Sequence, residues 1–180
     1  MTIDFQSAVD IASDAHHHAA AVAANVVASA EATAALMAAL NGTAEHDKIL
    51  LRAAAGAGKS YALVHMVGEA LANPNCLRVA VTAFANKQVI PLAQRLGATY
   101  GTDDVCLFVS EKWRPLLPAG IQDDVTVVTK SREIPESARI VLGVSHKFKV
   151  FGEHDRMLGQ LGVGANGERI FDVLFVDEAW

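Results

Sequence analysis

The stretch Ile49-Leu50-Leu51-Arg52-Ala53-Ala54-Ala55-Gly56-Ala57-Gly58-Lys59-Ser60-Tyr61 decides how this chain folds. It begins as a short apolar run, Lys48–Arg52, which reads as a buried strand. It then passes through residues no larger than alanine. It ends by opening a segment with Leu63, Val64, Met66 and Val67, which reads as a helix over Lys59–Leu71, stopped by Asn73-Pro74-Asn75. From Ala53 to Ser60 the spacing fits [AG]-x-x-x-x-G-K-[ST]. Backbone N–H groups can converge on a phosphate only where side chains are small and φ is free to turn positive. Gly56, Ala57 and Gly58 meet that need. The helix that follows points its positive end at the anion.

In this Walker A reading, Ala55, Gly56, Ala57, Gly58, Lys59, Ser60 and Tyr61 bind the nucleotide. Lys59 reaches the β- and γ-phosphates as a point charge, and the Ser60 hydroxyl ligates Mg²⁺. The plainer alternative is an Ala/Gly turn with a surface lysine. A second motif lies at the far end, Phe171-Asp172-Val173-Leu174-Phe175-Val176-Asp177-Glu178-Ala179-Trp180. An apolar strand that ends in two acids brings them to the sheet edge where ligands bind. There Asp177 holds Mg²⁺ through water, and Glu178 polarises the attacking water as general base. The alternative is a pair of acids that caps a helix or sits in solvent.

Between the two motifs, strands alternate with helices. Leu77–Thr82 is an apolar strand, and Lys87–Leu96 a helix ended by Gly97. Val105–Val109, Val125–Thr129 and Ile140–Val144 are short β-branched runs. Gly159, Gly162, Gly164 and Gly167 mark a loop or wide hairpin. The order predicts an α/β fold, a mostly parallel sheet flanked by helices.

Ahead of it, residues 4–40 contain no Gly or Pro and are rich in alanine, which favours one long helix or two shorter ones. Val22, Val26, Ser29, Thr33, Leu36 and Leu40 form a narrow stripe suited to close packing, either on the chain's own domain or on a helical partner. Asn41-Gly42 ends the helix. The expected division is therefore 1–42, a helical segment, and 43–180, a nucleotide-binding domain. His16-His17-His18 cannot chelate a metal as one face, because consecutive helical residues point in different directions.

The chain is 52% apolar and 19% charged, enough for a packed core and too apolar for a disordered tail. Cys76 and Cys106 form no CxxC or His/Cys cluster and read as small core residues in a reducing, cytoplasmic setting. The net charge is −5, and it is uneven. Residues 1–50 hold one base and six acids; the other 130 hold 14 of each, so no global basic field advertises a nucleic-acid partner. No positive n-region precedes an apolar stretch, and Ala19–Ala30 is too short to span a bilayer, so no membrane partner is expected.

Three segments together resemble superfamily 1 helicases, in their first RecA-like domain. They are the loop Arg52–Ser60; the run Val79-Ala80-Val81-Thr82-Ala83-Phe84-Ala85-Asn86-Lys87, similar to motif Ia; and Val176-Asp177-Glu178-Ala179-Trp180, similar to motif II. Ile140–Lys147 is a weaker match to the strand and turn that precede motif II. The resemblance implies a RecA-like P-loop NTPase that binds ATP with Mg²⁺. In the complete protein it hydrolyses ATP to move along or unwind nucleic acid. It implies that Thr82, Phe84, Asn86 and Lys87 lie along a single-stranded DNA or RNA path, and that a C-terminal lobe belongs to the same protein. Little or no turnover is expected of residues 1–180 alone.

The chain departs from the family in one respect. The adenine-reading glutamine expected some 20 residues before the loop has no counterpart, since Gln6 is too distant. Phe84 either stacks on a base or packs in the core. Lys87 either meets a phosphate or starts a solvated helix. Lys112, Trp113, Arg114, Lys130, Arg132, His146, Lys147 and Lys149 interleave with acids, which favours a mixed-charge surface. Trp113 either stacks on a base or anchors the Pro115–Pro118 loop. The competing function is a P-loop ATPase that acts on protein partners, with the alanine-rich helix as its docking element.

Overall fold

The computed structural model describes residues 2–5, 15–53, 58–150 and 152–177. The chain forms two compact units, Met1–Asn73 and Pro74–Trp180. The division lies past residue 42, so the alanine-rich helix belongs with the strand and helix on either side of the Ala/Gly-rich loop.

The first unit comprises β1 (Thr2–Phe5), α1 (Ala15–Leu40), β2 (Leu50–Ala53) and α2 (Lys59–Ala72). β1 and β2 run parallel, with Thr2 opposite Leu50 and Phe5 opposite Ala53. Asp4 and Phe5 were expected in a helix and instead form strand. Ile3 and Phe5 favour extended backbone, and pairing with β2 overrides the weak helical preference around them. β2 is also more open than a buried strand: Leu50 is exposed and Leu51 half-buried.

α1 packs on β1 and α2, burying Ala28, Ala32 and Leu36 at successive steps of four. The expected stripe is therefore rotated. Leu36 is buried, but Val22 and Val26 are exposed. Two alanines let a neighbour approach closely, and that approach selects the small-residue edge over the valine edge. Ala21–Leu40 is long and apolar enough to cross a membrane by length and composition, longer than the Ala19–Ala30 run that stands out in the sequence. The helix ends as its sequence predicts. Gly42 adopts φ 68°, Thr43 N–H reaches the Ala38 carbonyl at 2.9 Å, and Gly42 N–H reaches Ala39 at 3.1 Å. Together they make a Schellman motif. Asn73, just past α2, donates to the Asn41 side chain at 3.1 Å and ties the two helix ends together.

The second unit comprises β3 (Val79–Ala83), α3 (Asn86–Tyr100), β4 (Val105–Phe108), α4 (Ile121–Asp124), β5 (Thr126–Val128), β6 (Ile140–Val144), α5 (Ser145–Phe148), α6 (Glu153–Leu161) and β7 (Val173–Val176). Its five strands form an all-parallel sheet in the order β5-β4-β6-β3-β7. Every residue of β3 and β4 is buried, as parallel strands covered on both faces require. Cys106, Phe108 and Val141 pack with Met157 and Leu161 of α6. By alternation Val105 and Leu107 point to the other face, and α3 packs on β3, β4 and β6. Both cysteines lie in this core, and burial pushes their thiols up, Cys76 to about 11 and Cys106 to about 12.

Three local readings change. α3 runs through Gly97 to Tyr100 and stops at Gly101, with φ 92°. Gly97 is no helix breaker: a Cβ there would strike the Asp124 carbonyl and lie 2.6 Å from Val125 Cγ1, so glycine lets α3 sit against α4. Gly159 lies inside α6, and the glycine-rich turn begins at Gly162. β7 is an edge strand among the described residues; Val173 and Phe175 are half-buried, while Leu174 is 60% exposed and Val176 is also exposed.

The amino edge of the sheet is fastened by two residues the sequence gives no reason to single out. Buried Arg78 donates from Nε to the Ala138 carbonyl at 3.0 Å and from Nη1 to Leu161 at 3.2 Å. Burial lowers its pKa, and Asp172 opposes that shift. The Asp172 carboxylate accepts the Leu77 N–H at 2.8 Å and the Arg78 and Asn166 N–H groups at 3.2 Å. These bonds set the start of β7 against the start of β3.

Candidate functional site

The candidates around the Ala/Gly loop lie in the first unit. β2 ends at Ala53, and α2 starts at Lys59. Ala55, Gly56 and Ala57 lie outside the described residues. Gly58 caps α2 with φ 85° and ψ 17°, a left-handed geometry that costs other residues about 1–2 kcal/mol. The helix opens on its carbonyl, which accepts the Tyr61 and Ala62 N–H groups at 3.0 Å. No side chain caps this end, and no acid stands in the first turn. The positive end of α2 thus meets no competing carboxylate of its own. Lys59 and Ser60 are half-buried there, and the Tyr61 side chain is 76% exposed.

A separate set of candidates lies in the second unit, along the carboxyl ends of its strands. Parallel strands bring Thr82, Ser145 and Asp177 to one edge. The Asp177 N–H donates to the Thr82 carbonyl at 2.8 Å, which fastens the tip of β7 to β3. Thr82 is buried, and its hydroxyl pairs with the Ser145 hydroxyl at 2.9 Å. Ser145 Oγ also lies 3.4 Å from the Ala83 carbonyl. Thr82 therefore faces inward and positions its neighbours. Phe84 is 85% exposed, which removes core packing as its role. Asn86 and Lys87 open α3 immediately after it, Asn86 half-buried and Lys87 exposed. Gln88 Oε1 accepts the Ala85 N–H at 2.9 Å and closes this helix start. Glu178 lies outside the described residues.

Ser145 enters the sequence reading only within the weaker match Ile140–Lys147, with no role of its own. Its signal is faint, a lone hydroxyl at the end of a β-branched run. Beyond it Lys147 donates to the Thr129 carbonyl at 3.0 Å and stands 4.3 Å over the Phe108 ring. Glu153 is buried close by and accepts from Arg156 at 3.0 Å. Burial alone would raise its carboxyl. The Ser131 hydroxyl, Arg156 and the charge of Lys147 outweigh that and hold it below the usual carboxylate range.

Trp113 is half-buried and leads into a 3-10 turn over Arg114–Leu116, so its backbone shapes the Pro115–Pro118 loop. No group of three His, Cys, Asp or Glu side chains suited to a metal occurs among the described residues.

No protein-family profile, no curated protein and no solved structure matches the chain significantly.

Proposed function

We propose that the chain is the RecA-like, nucleotide-binding part of a superfamily 1 helicase-type motor, which binds ATP with Mg²⁺ and, in the complete protein with its further lobe, couples hydrolysis to movement on a nucleic-acid strand. The observation that carries this reading is the bond from Asp177 to Thr82. It joins the acid expected at the metal to the segment expected along the strand through one shared backbone contact. Exposed Phe84 and Lys87 leave that same segment toward solvent, where a base and a phosphate can be met.

In this reading Lys59 would meet the β- and γ-phosphates, Ser60 and Asp177 would supply oxygens for Mg²⁺, and Glu178 would take the proton of the attacking water. Mg²⁺ supplies charge neutralisation on the phosphates when bound. ATP binding, measured with a fluorescent analogue, should be lost in Lys59→Ala. In Asp177→Ala the Mg²⁺ dependence should disappear while metal-free affinity survives. Single-stranded oligonucleotides should bind at low salt and lose affinity in Phe84→Ala with Lys87→Ala. Unchanged ATP affinity in Lys59→Ala overturns the nucleotide reading. An absence of strand binding by the folded wild type overturns the motor reading.

A further inference from the structure

The second unit biases its charges by sheet edge, which the evenly mixed sequence conceals. Segments leaving the carboxyl ends of the strands carry Lys87 after β3, Lys112 and Arg114 after β4, Lys130 and Arg132 after β5, and Lys147, Lys149 and Arg156 after β6, against Glu111, Glu133, Glu153, Asp155 and Asp177. Segments entering the amino ends carry Asp103 and Asp104 before β4, Asp123 and Asp124 before β5, Glu136 before β6 and Glu168 and Asp172 before β7, against Arg78, Arg139 and Arg169. Because all five strands are parallel, bases outnumber acids along the carboxyl rim and acids outnumber bases along the amino rim.

The carboxyl rim is physically continuous. Ser145 bonds to Thr82, Lys147 to the Thr129 carbonyl, and Lys130 lies 3.9 Å from Glu111. These contacts step across the edge from β3 through β6 and β5 to the loop after β4. Lys87, Lys112, Arg114, Arg132 and Lys149 are exposed and form no ion pair among the described residues. Two aromatic side chains stand in the row, exposed Phe84 after β3 and half-buried Trp113 after β4. Cations that track a phosphate backbone, interleaved with rings on which bases stack, suit a single-stranded polynucleotide. An acidic peptide would answer the charge but not the rings.

We infer that the strand path does not end at Phe84 and Lys87 but continues along the carboxyl rim past β6 and β4 to β5, with Trp113 as a second stacking platform and Lys112, Arg114 and Arg132 on the phosphates. Four strands at sheet spacing span about 14 Å, roughly four nucleotides at duplex rise. This rests on the strand-binding reading above and extends it to loops outside its motifs.

The test uses the full chain and labelled oligo-dT and oligo-U, read by fluorescence anisotropy across a salt series. The triple variant Lys112→Gln/Arg114→Gln/Arg132→Gln should bind at least tenfold more weakly, and the slope of log affinity against log salt should shrink by about 2. ATP affinity should stay unchanged, which shows the variant is folded. Asp103→Asn/Asp104→Asn on the opposite rim should not weaken binding. In a Trp180→Phe background, oligonucleotide should quench the fluorescence of Trp113. Three results overturn the inference: a triple variant that binds like wild type while Phe84→Ala/Lys87→Ala does not; an unquenched Trp113; or polyglutamate of equal charge competing as well as the oligonucleotide. The first of these leaves the motif Ia reading standing. Loss of all strand binding by the wild type removes both.

Discussion

The Thr82 and Ser145 hydroxyls meet at 2.9 Å, Thr82 within β3 and Ser145 opening α5 just past β6, at the edge where β3 leads to Phe84 and β7 to Asp177. Thr82 is thus fixed at both ends. Its carbonyl takes the Asp177 N–H, and its side chain takes Ser145. Thr82→Val keeps the shape and removes the hydroxyl, at a cost of about 1 kcal/mol in urea unfolding. In a chain that includes the expected C-terminal lobe, ATP affinity should hold, and stimulation of ATP turnover by oligonucleotide should fall several-fold. Ser145→Ala should reproduce both effects. Stimulation unchanged in both variants would leave the hydroxyl pair a purely structural bond.

Gly97→Ala tests the packing of α3 against α4. The added methyl meets a backbone carbonyl that cannot swing aside, so overpacking should cost about 1–3 kcal/mol, although alanine is the better helix former. A gain in thermal stability would show that Gly97 has room.

Glu153 predicts an acid-sensitive stability. Its folded-state pKa lies below that of the unfolded chain. Its contribution is therefore fully present above the unfolded value of about 4.3 and is lost as pH falls through the lower folded value. Glu153→Gln should flatten that part of the pH–stability curve, measured by urea unfolding at a series of acid pH values. An acid limb identical to wild type would remove Glu153 as its source.

Deletion of residues 1–42 separates the two roles offered for the alanine-rich helix. The deletion strips β2 of its parallel partner and α2 of the packed edge at Ala28, Ala32 and Leu36. The expected result is loss of ATP binding together with loss of cooperative unfolding of the first unit. A folded, ATP-binding product that merely loses a protein partner would assign the helix to docking.

Much of the fold is legible where a short-range rule acts alone. β6 spans Ile140–Val144, as its β-branched run predicts, and α1 ends at Asn41-Gly42 because only a left-handed residue closes a helix that way. The misses share one cause, a distant contact that outweighs a local preference. β1 is hidden in a run without Gly or Pro because its reason to be extended is β2, some 48 residues on. Gly97 looks like a stop signal, yet it answers to Asp124. Of the candidate site, Lys59, Ser60 and Asp177 stand out by motif. Ser145 does not, because its meaning lies in the hydroxyl of Thr82 in β3. The charge bias is invisible to any count along the chain, since it exists only once the strand directions are known.

The excess of bases at one rim and of acids at the other gives the second unit a net polarity along its strands. A polyanion drifting to within a Debye length, about 8 Å at physiological salt, feels a torque before it feels a contact. On the strand-binding proposal it would arrive with the Phe84 edge leading, away from the Asp103–Asp104 edge. The sheet's direction thereby becomes a compass for encounter, setting how fast and which way round a charged strand lands.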